Sequence, residues 1–343
     1  MRNRWQGGRA AVLAMMALMT AADAQQAAFV PVQHRAPPPD FLYRAGDGAV
    51  AAFADAGMQV ERDRGARDAL AEHRRLAAAL GQLEPQRPGV VDTYVLSVAL
   101  DSDPVFGREA REAARVLARR YGADRRTLVL AGSDGTRTSE LPIGSPQALG
   151  AALAAVAERM DVHEDVLVLF TTSHGGPFGI VYHDGDSGYG GISPMKLRAM
   201  LGELGFTRRL LIVNACYSGV FIGPLASDDS VIVTAAATDR SSFGCFAEND
   251  WTFFGDAFVN RALRKAQPIE AAFTEARNQV AVWETEATLT PSRPQVSIGA
   301  AAHRWLAAID GAVPTTASAP VGRPTDIGAL VALQREARAR DPR

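Results

Sequence analysis

The sequence predicts an α/β domain built on a largely parallel sheet, and three observations carry that expectation. Mainly apolar runs recur at 90–100, 127–131, 166–172, 210–215 and 229–236. They do not alternate with polar residues, which is the pattern of strands covered on both faces. Stretches of helical periodicity stand between them, joined by short connections.

The elements follow in order. Residues 67–80 are rich in alanine and leucine and read as a helix. The run 90–100 is the first strong strand, broken by Asp101-Ser102-Asp103-Pro104. Over 108–121, Ala110, Ala114, Leu117 and Tyr121 recur at helical spacing, and Gly122 stops the helix. The strand 127–131 closes on Gly132-Ser133-Asp134-Gly135. Ser145-Pro146 and Ser193-Pro194 each open a helix, with serine as N-cap and proline at the first helical position. Between them, 166–172 is a strand, and seven glycines among residues 175–191 make a loop with a short hairpin around Ile180-Val181-Tyr182. The strands 210–215 and 229–236, helices over 253–265 and 269–283, and a sixth strand at 295–298 complete a core of about 90–310. A Pro/Ala/Thr-rich linker at 312–325 and a short charged helix end the chain.

Composition narrows the chemistry. The 343 residues are 47% apolar and 22% charged with a formal charge of −2, which is globular and speaks against a nucleic-acid binder. Only Cys216 and Cys245 occur, so a disulfide scaffold and a cysteine zinc site are excluded. Arg2, Arg4 and Arg9, an apolar stretch from Ala10 to Ala21, and Ala22-Asp23-Ala24 read as a cleavable signal peptide over 1–24. The apolar stretch is short of the about 20 residues that span a bilayer, so export to a periplasm or beyond is expected, without stable membrane insertion. Residues 25–89 form a Pro/Ala-rich lead and a helical segment.

Two of the apolar runs end on reactive side chains. Residues 166–172 lead into Ser173-His174-Gly175-Gly176, and 210–215 into Cys216-Tyr217-Ser218-Gly219. Ligands of open parallel sheets bind outside the carboxyl ends of the strands. One loop, one helix and the next strand separate His174 from Cys216, so the topology puts both at one sheet edge. A thiol beside an imidazole is a candidate nucleophile with its acid and base. The backbone N–H groups of Gly175 and Cys216 are candidate donors to an oxyanion. Taken singly, a buried cysteine reads as a small hydrophobe and a strand-end histidine as structural. Their pairing beside glycine turns favours chemistry.

These segments resemble the legumain-like (haemoglobinase-type) cysteine peptidases, whose fold is shared with caspases. The likeness rests on Ser173-His174-Gly175, Asn214-Ala215-Cys216-Tyr217-Ser218-Gly219, the run 233–245 and Phe253-Phe254-Gly255-Asp256. It spans about 90–300 and is nearest to bacterial exported members. It implies a caspase-like three-layer α/β/α fold and thiol hydrolysis of peptides with no metal or cofactor. His174 would be the base and Cys216 the nucleophile. Asn214, Ser241 and Asp256 would line the substrate pocket, with cleavage after Asn or Asp. The sequence departs from plant and animal legumains at Asn214, where they carry an acidic residue, and at Ser173, where they carry aspartate. No residue near 101–108 clearly matches the asparagine that orients their histidine, and Arg108 aligns only loosely with their pocket arginine.

Three functions follow: an exported endopeptidase, a transpeptidase passing the same acyl-enzyme to an amine, or a non-catalytic caspase-like binding module. A protein or peptide is the expected partner; the oligomer is open. Cys245 reads more simply as a separate buried thiol than as a redox partner of Cys216. The run from His183 to Gly188 lacks the EF-hand spacing and reads as a solvated turn. His163 reads as surface, and Trp283 and Trp305 as packing.

Overall fold

A computed structural model describes residues 46–132 and 140–325, together with 327, 328 and 331. The signal-peptide segment 1–24 lies outside these residues, as do most of the lead, Ser133 to Gly135 and nearly all of the terminal helix.

In chain order the elements are α1 (Asp47–Ala56), β1 (Gln59–Glu61), α2 (Ala66–Leu80), β2 (Thr93–Ala99), α3 (Pro104–Tyr121), β3 (Thr127–Leu130), α4 (Pro146–Arg159) and β4 (Val166–Thr172). Then come β5 (Gly175–Gly176), β6 (Gly179–Asp184), β7 (Gly188–Ile192), α5 (Pro194–Glu203) and β8 (Arg209–Asn214). The chain continues with α6 (Ile222–Leu225), β9 (Ser230–Thr234), α7 (Ile269–Glu286), β10 (Gln295–Ile298) and α8 (Ala302–Asp310). The predicted proline-led helices start as expected: Ser145 Oγ accepts from Ala148 N at 3.1 Å and Ser193 Oγ from Lys196 N at 3.0 Å. Each such cap stabilises its helix by about 1 kcal/mol.

The main sheet has six strands in the order β10-β9-β8-β4-β2-β3. All neighbours are parallel except β10, which runs antiparallel at the edge. Alternate strand residues face opposite layers, as the pleat requires. Val95, Val168, Ile212 and Val233 join one buried cluster with α3, α7 and α8. Leu96, Leu169, Leu211 and Ile232 join another with α4 and α5. The result is the expected three-layer α/β/α architecture.

The structure adds elements that the sequence reading lacks. Residues 175–192 are not a loop with one hairpin but three strands, and β1 joins them in a second sheet of order β1-β7-β6-β5. Residues 59–61 therefore belong to the folded domain; Arg64 Nη2 meets Asp184 Oδ2 at 2.6 Å across this sheet. The expected helix over 253–265 is a π-helical turn, Gly255–Arg261, followed by a 3₁₀ turn, Ala262–Arg264. The segment 312–325 lies along the domain: Trp251 Nε1 donates to Val321 O at 2.9 Å, and Arg323 pairs with Asp250. Among the described residues, no helix is long and apolar enough to cross a membrane.

Candidate active site

The chain lays β3 on one side of β2 and then returns to lay β4 and β8 on the other. Such a reversal opens a crevice at the carboxyl ends of the strands on either side of it. Here Ala99 is level with Thr172, and Thr172 with Asn214. Asp101-Ser102-Asp103, Ser173-His174-Gly175 and Asn214-Ala215-Cys216 therefore leave the sheet side by side. The backbone keeps them together: Leu100 N donates to Thr172 O at 3.0 Å and Ser173 N to Asn214 O at 3.2 Å. The second sheet clamps the same edge, with Val181 N on His174 O and His183 N on Leu100 O, both at 3.0 Å.

Side chains from the end of β2 and the start of α3 hold His174. Its Nε2 lies 3.5 Å from Asp103 Oδ2. The Asp103 amide in turn donates to Asp101 Oδ1 at 2.8 Å. Phe106 packs edge-on against the imidazole, with ring centres 5.0 Å apart. Cys245 is a further neighbour that acts on the charge of the ring. Burial disfavours the charged ring, but bonding to Asp103 and Cys245 and the nearby charge of Asp101 outweigh it, so the pKa is pushed up to about 11. The ring remains 40% exposed and open to a ligand.

Backbone holds Cys216. Its Sγ accepts from Ser242 N at 3.2 Å and lies 3.5 Å from Ser242 O, with the Ser241 side chain a further neighbour. Burial pushes the thiol pKa up and the Cys245 charge adds to this, while the Ser242 amide, the His174 charge and the Ser241 hydroxyl pull it down; burial prevails. The next residue, Tyr217, has φ 57°, a left-handed conformation that costs a bulky residue strain. Tyr217 N donates to Arg240 O at 2.8 Å, which fixes the turn against the segment carrying Ser241 and Ser242. Gly175 is required here: a Cβ on it would stand 2.3 Å from Cys216 O.

The residues singled out in the sequence divide into two groups. His174, Gly175, Cys216 and the exposed Ser241 converge on one edge. Asn214 and Asp256, the other residues to which the resemblance gives pocket roles, are buried. Asn214 is 2% exposed and donates to Glu109 Oε2 at 2.6 Å and to Thr252 Oγ1 at 2.9 Å. Asp256 is fully buried, and its carboxylate accepts from Asn260, Arg261 and Thr325. Arg108 reaches the backbone carbonyls of Ala247 and Asn249 and pairs with Asp250. Cys245 is a free thiol, separate from Cys216 and half-buried, and it acts on the charge of His174. Sequence reasoning does not find Asp103, Phe106 or Glu109. Asp103 has a usable signal, since it follows the strongest apolar run in a parallel sheet.

Asp101, Asp103 and His174 are the described residues whose donor atoms gather closely enough for a metal ion, within 4.8 Å of one another. That group contains the candidate base itself, so a cation there would compete with proton transfer.

Residues 144–303 match the model of the peptidase C13 family. That stretch, just under half of the chain, is similar to that family. The match supports a cysteine peptidase, and proteins are the substrates that family implies. Asp103, Phe106 and Glu109 lie before the matched stretch, whereas His174, Cys216 and Cys245 lie within it. Among solved structures, the chain is similar to caspase-1 from Spodoptera frugiperda at 14% identity and a TM-score of 0.41, covering 63% of this chain and 88% of that one. It is similar also to pro-sf-caspase-1 at 14% identity and a TM-score of 0.40, covering 62% and 92%. No curated protein matches the sequence.

Proposed function

We propose that this chain is a C13-type exported endopeptidase in which Cys216 is the nucleophile and His174 its acid and base. The observation that carries this is the shared edge: the strands bearing the two side chains pair directly, and the charge of His174 acts on the Cys216 thiol. Export rests on the basic, apolar and small-residue pattern of residues 1–24.

At neutral pH the imidazole is already protonated, so its first task is that of an acid. The Cys216 thiol loses its proton to solvent, and the thiolate attacks the scissile carbonyl carbon. The carbonyl π electrons move to oxygen, where the backbone N–H groups of Gly175 and Cys216 are the proposed donors. Collapse of the tetrahedral adduct breaks the C–N bond, and His174 protonates the departing amine. The neutral imidazole then takes a proton from water, whose oxygen attacks the thioester. Collapse releases the carboxylic acid and the Cys216 thiolate, and His174 is left as the imidazolium.

Asp103 is the proposed orienter of the imidazole. The proposed preference for Asn or Asp falls to Ser241: with Asn214 and Asp256 buried, it is the implied pocket residue left exposed beside the thiol. Incubating residues 25–343 with a peptide library tests the proposal. Cleavage should disappear in both Cys216→Ala and His174→Ala, and the residues preceding the cut sites give the specificity. Full retention in either variant would sink the dyad.

A further inference from the structure

The two candidate catalytic side chains share a feature one step back along their strands. Thr172 lies two residues before His174, and Asn214 two residues before Cys216. They are register partners across β4 and β8. They are the last residues of their strands, immediately before the turns that carry the dyad.

A single carboxylate grips both. Glu109 of α3 is fully buried. Its Oε2 accepts from Asn214 Nδ2 at 2.6 Å and from the Thr172 hydroxyl. Its Oε1 accepts from the Thr252 hydroxyl at 2.7 Å and the Thr252 amide at 3.2 Å. Thr252 belongs to the segment that runs on from Ser241, Ser242 and Cys245, and Phe253 N donates to Phe243 O at 2.9 Å within it. All four donors thus come from the His strand, the Cys strand and the segment that cradles the thiol. The backbone makes room for the carboxylate: a Cβ on Gly255 would stand 1.7 Å from Glu109 Oε1.

An apolar side chain in this place would avoid the cost of burying an ionisable group, which pushes the Glu109 pKa up. The network instead satisfies both oxygens, and satisfied buried networks specify one arrangement of the elements they join. We infer that Glu109 is a positioning residue for the Cys216–His174 pair, setting the spacing of the two strand ends through Thr172, Asn214 and Thr252. The inference rests on the proposed catalytic reading of that pair.

The donor pattern suggests the test. The Thr252 amide can only donate, so in Glu109→Gln the amide oxygen must face Thr252 and the NH₂ must face Asn214, where two NH₂ groups oppose each other. In the double variant Glu109→Gln, Asn214→Asp the NH₂ introduced on α3 meets a carboxylate acceptor on β8. Asn214→Asp alone sets two carboxylates against each other. We would measure alkylation of Cys216 by iodoacetamide, read by peptide mass with Cys245 as the internal control. On any peptide the parent chain cleaves we would measure kcat and KM, and thermal unfolding would report folding.

Each single variant should stay folded, lose at least about tenfold in Cys216 alkylation, and lose about a hundredfold in kcat with KM little changed. The double variant should recover most of both, as coupled sites do. Should Glu109→Gln fail to fold, Thr252→Val removes one donor at nearly constant shape and should slow alkylation several-fold. Parent-like alkylation in a folded Glu109→Gln would overturn the inference. So would single losses that simply multiply in the double variant. A parent chain that cleaves nothing would defeat the peptidase reading alone, because the alkylation comparison still decides the role of Glu109.

Discussion

The imidazole and the thiol leave the sheet from register-paired strands, yet they are held by different means. His174 is set by side chains: Asp103 at its Nε2, Phe106 against its ring, Cys245 as a further neighbour. Cys216 is set mainly by backbone, through the Ser242 amide and the left-handed turn at Tyr217. Side chains around the base tune its charge strongly, because carboxylates stand next to it. Backbone around the nucleophile fixes direction but supplies little charge, so burial governs the thiol. One end of the pair is therefore electrostatically adjustable and the other geometrically rigid.

The most damaging way to disturb this division is at the contact between the two ends. Gly175→Ala should drive the strand ends apart, because the new Cβ would meet Cys216 O at 2.3 Å. A loss of about a hundredfold in kcat/KM is expected, with a lowered unfolding temperature. Activity and melting measured on the same preparation check it.

The next largest effect belongs to the adjustable end. In the parent chain, activity should rise with pH as the buried Cys216 thiol ionises, and fall again as His174 loses its proton near 11. Asp103 stabilises the imidazolium, so Asp103→Asn should lower the His174 pKa and bring the alkaline limb down. About tenfold should be lost at pH 9 and less at pH 7. A full pH–rate profile of both chains reads this directly, and an unmoved alkaline limb would remove Asp103 from the base.

Cys245→Ser should move both limbs in the same direction by less. The Cys245 charge raises the pKa of Cys216 and its bond raises that of His174, so removing it lowers both. The optimum should shift to lower pH with little loss in height. Smallest is Phe106→Leu, which keeps an apolar neighbour beside His174 but loses the edge-on ring; a drop of about threefold in kcat with an unshifted pH profile is expected.

Much of the framework is legible without coordinates. Five parallel strands are visible because both of their faces are buried, which leaves apolar runs without alternation. The Ser-Pro helix starts at 145 and 193 are visible because the capping serine and its donor are three residues apart. The rest has no local signature. β1 is only Gln59-Val60-Glu61, and it is a strand because β7 pairs with it across more than a hundred residues. Glu109 sits in a helix whose surface is otherwise rich in charge, and its donors at Thr172 and Thr252 are 63 and 143 positions away. Cys245 reads as an isolated thiol because nothing beside it in the chain points to His174.

The sequence by itself determined which two side chains stand at the strand ends and that those ends share an edge. Strand periodicity and the geometry of strand–helix–strand crossovers are local rules, and they leave few alternatives. Only the tertiary structure decided what surrounds the pair: Asp103 on the base, Ser242 on the thiol, Glu109 on Thr172 and Asn214, and the burial of Asn214 and Asp256. Hydrogen bonds and charge act through space over a few ångströms, so the residues that tune a site come from wherever packing brings them, at sequence separations that no periodicity records.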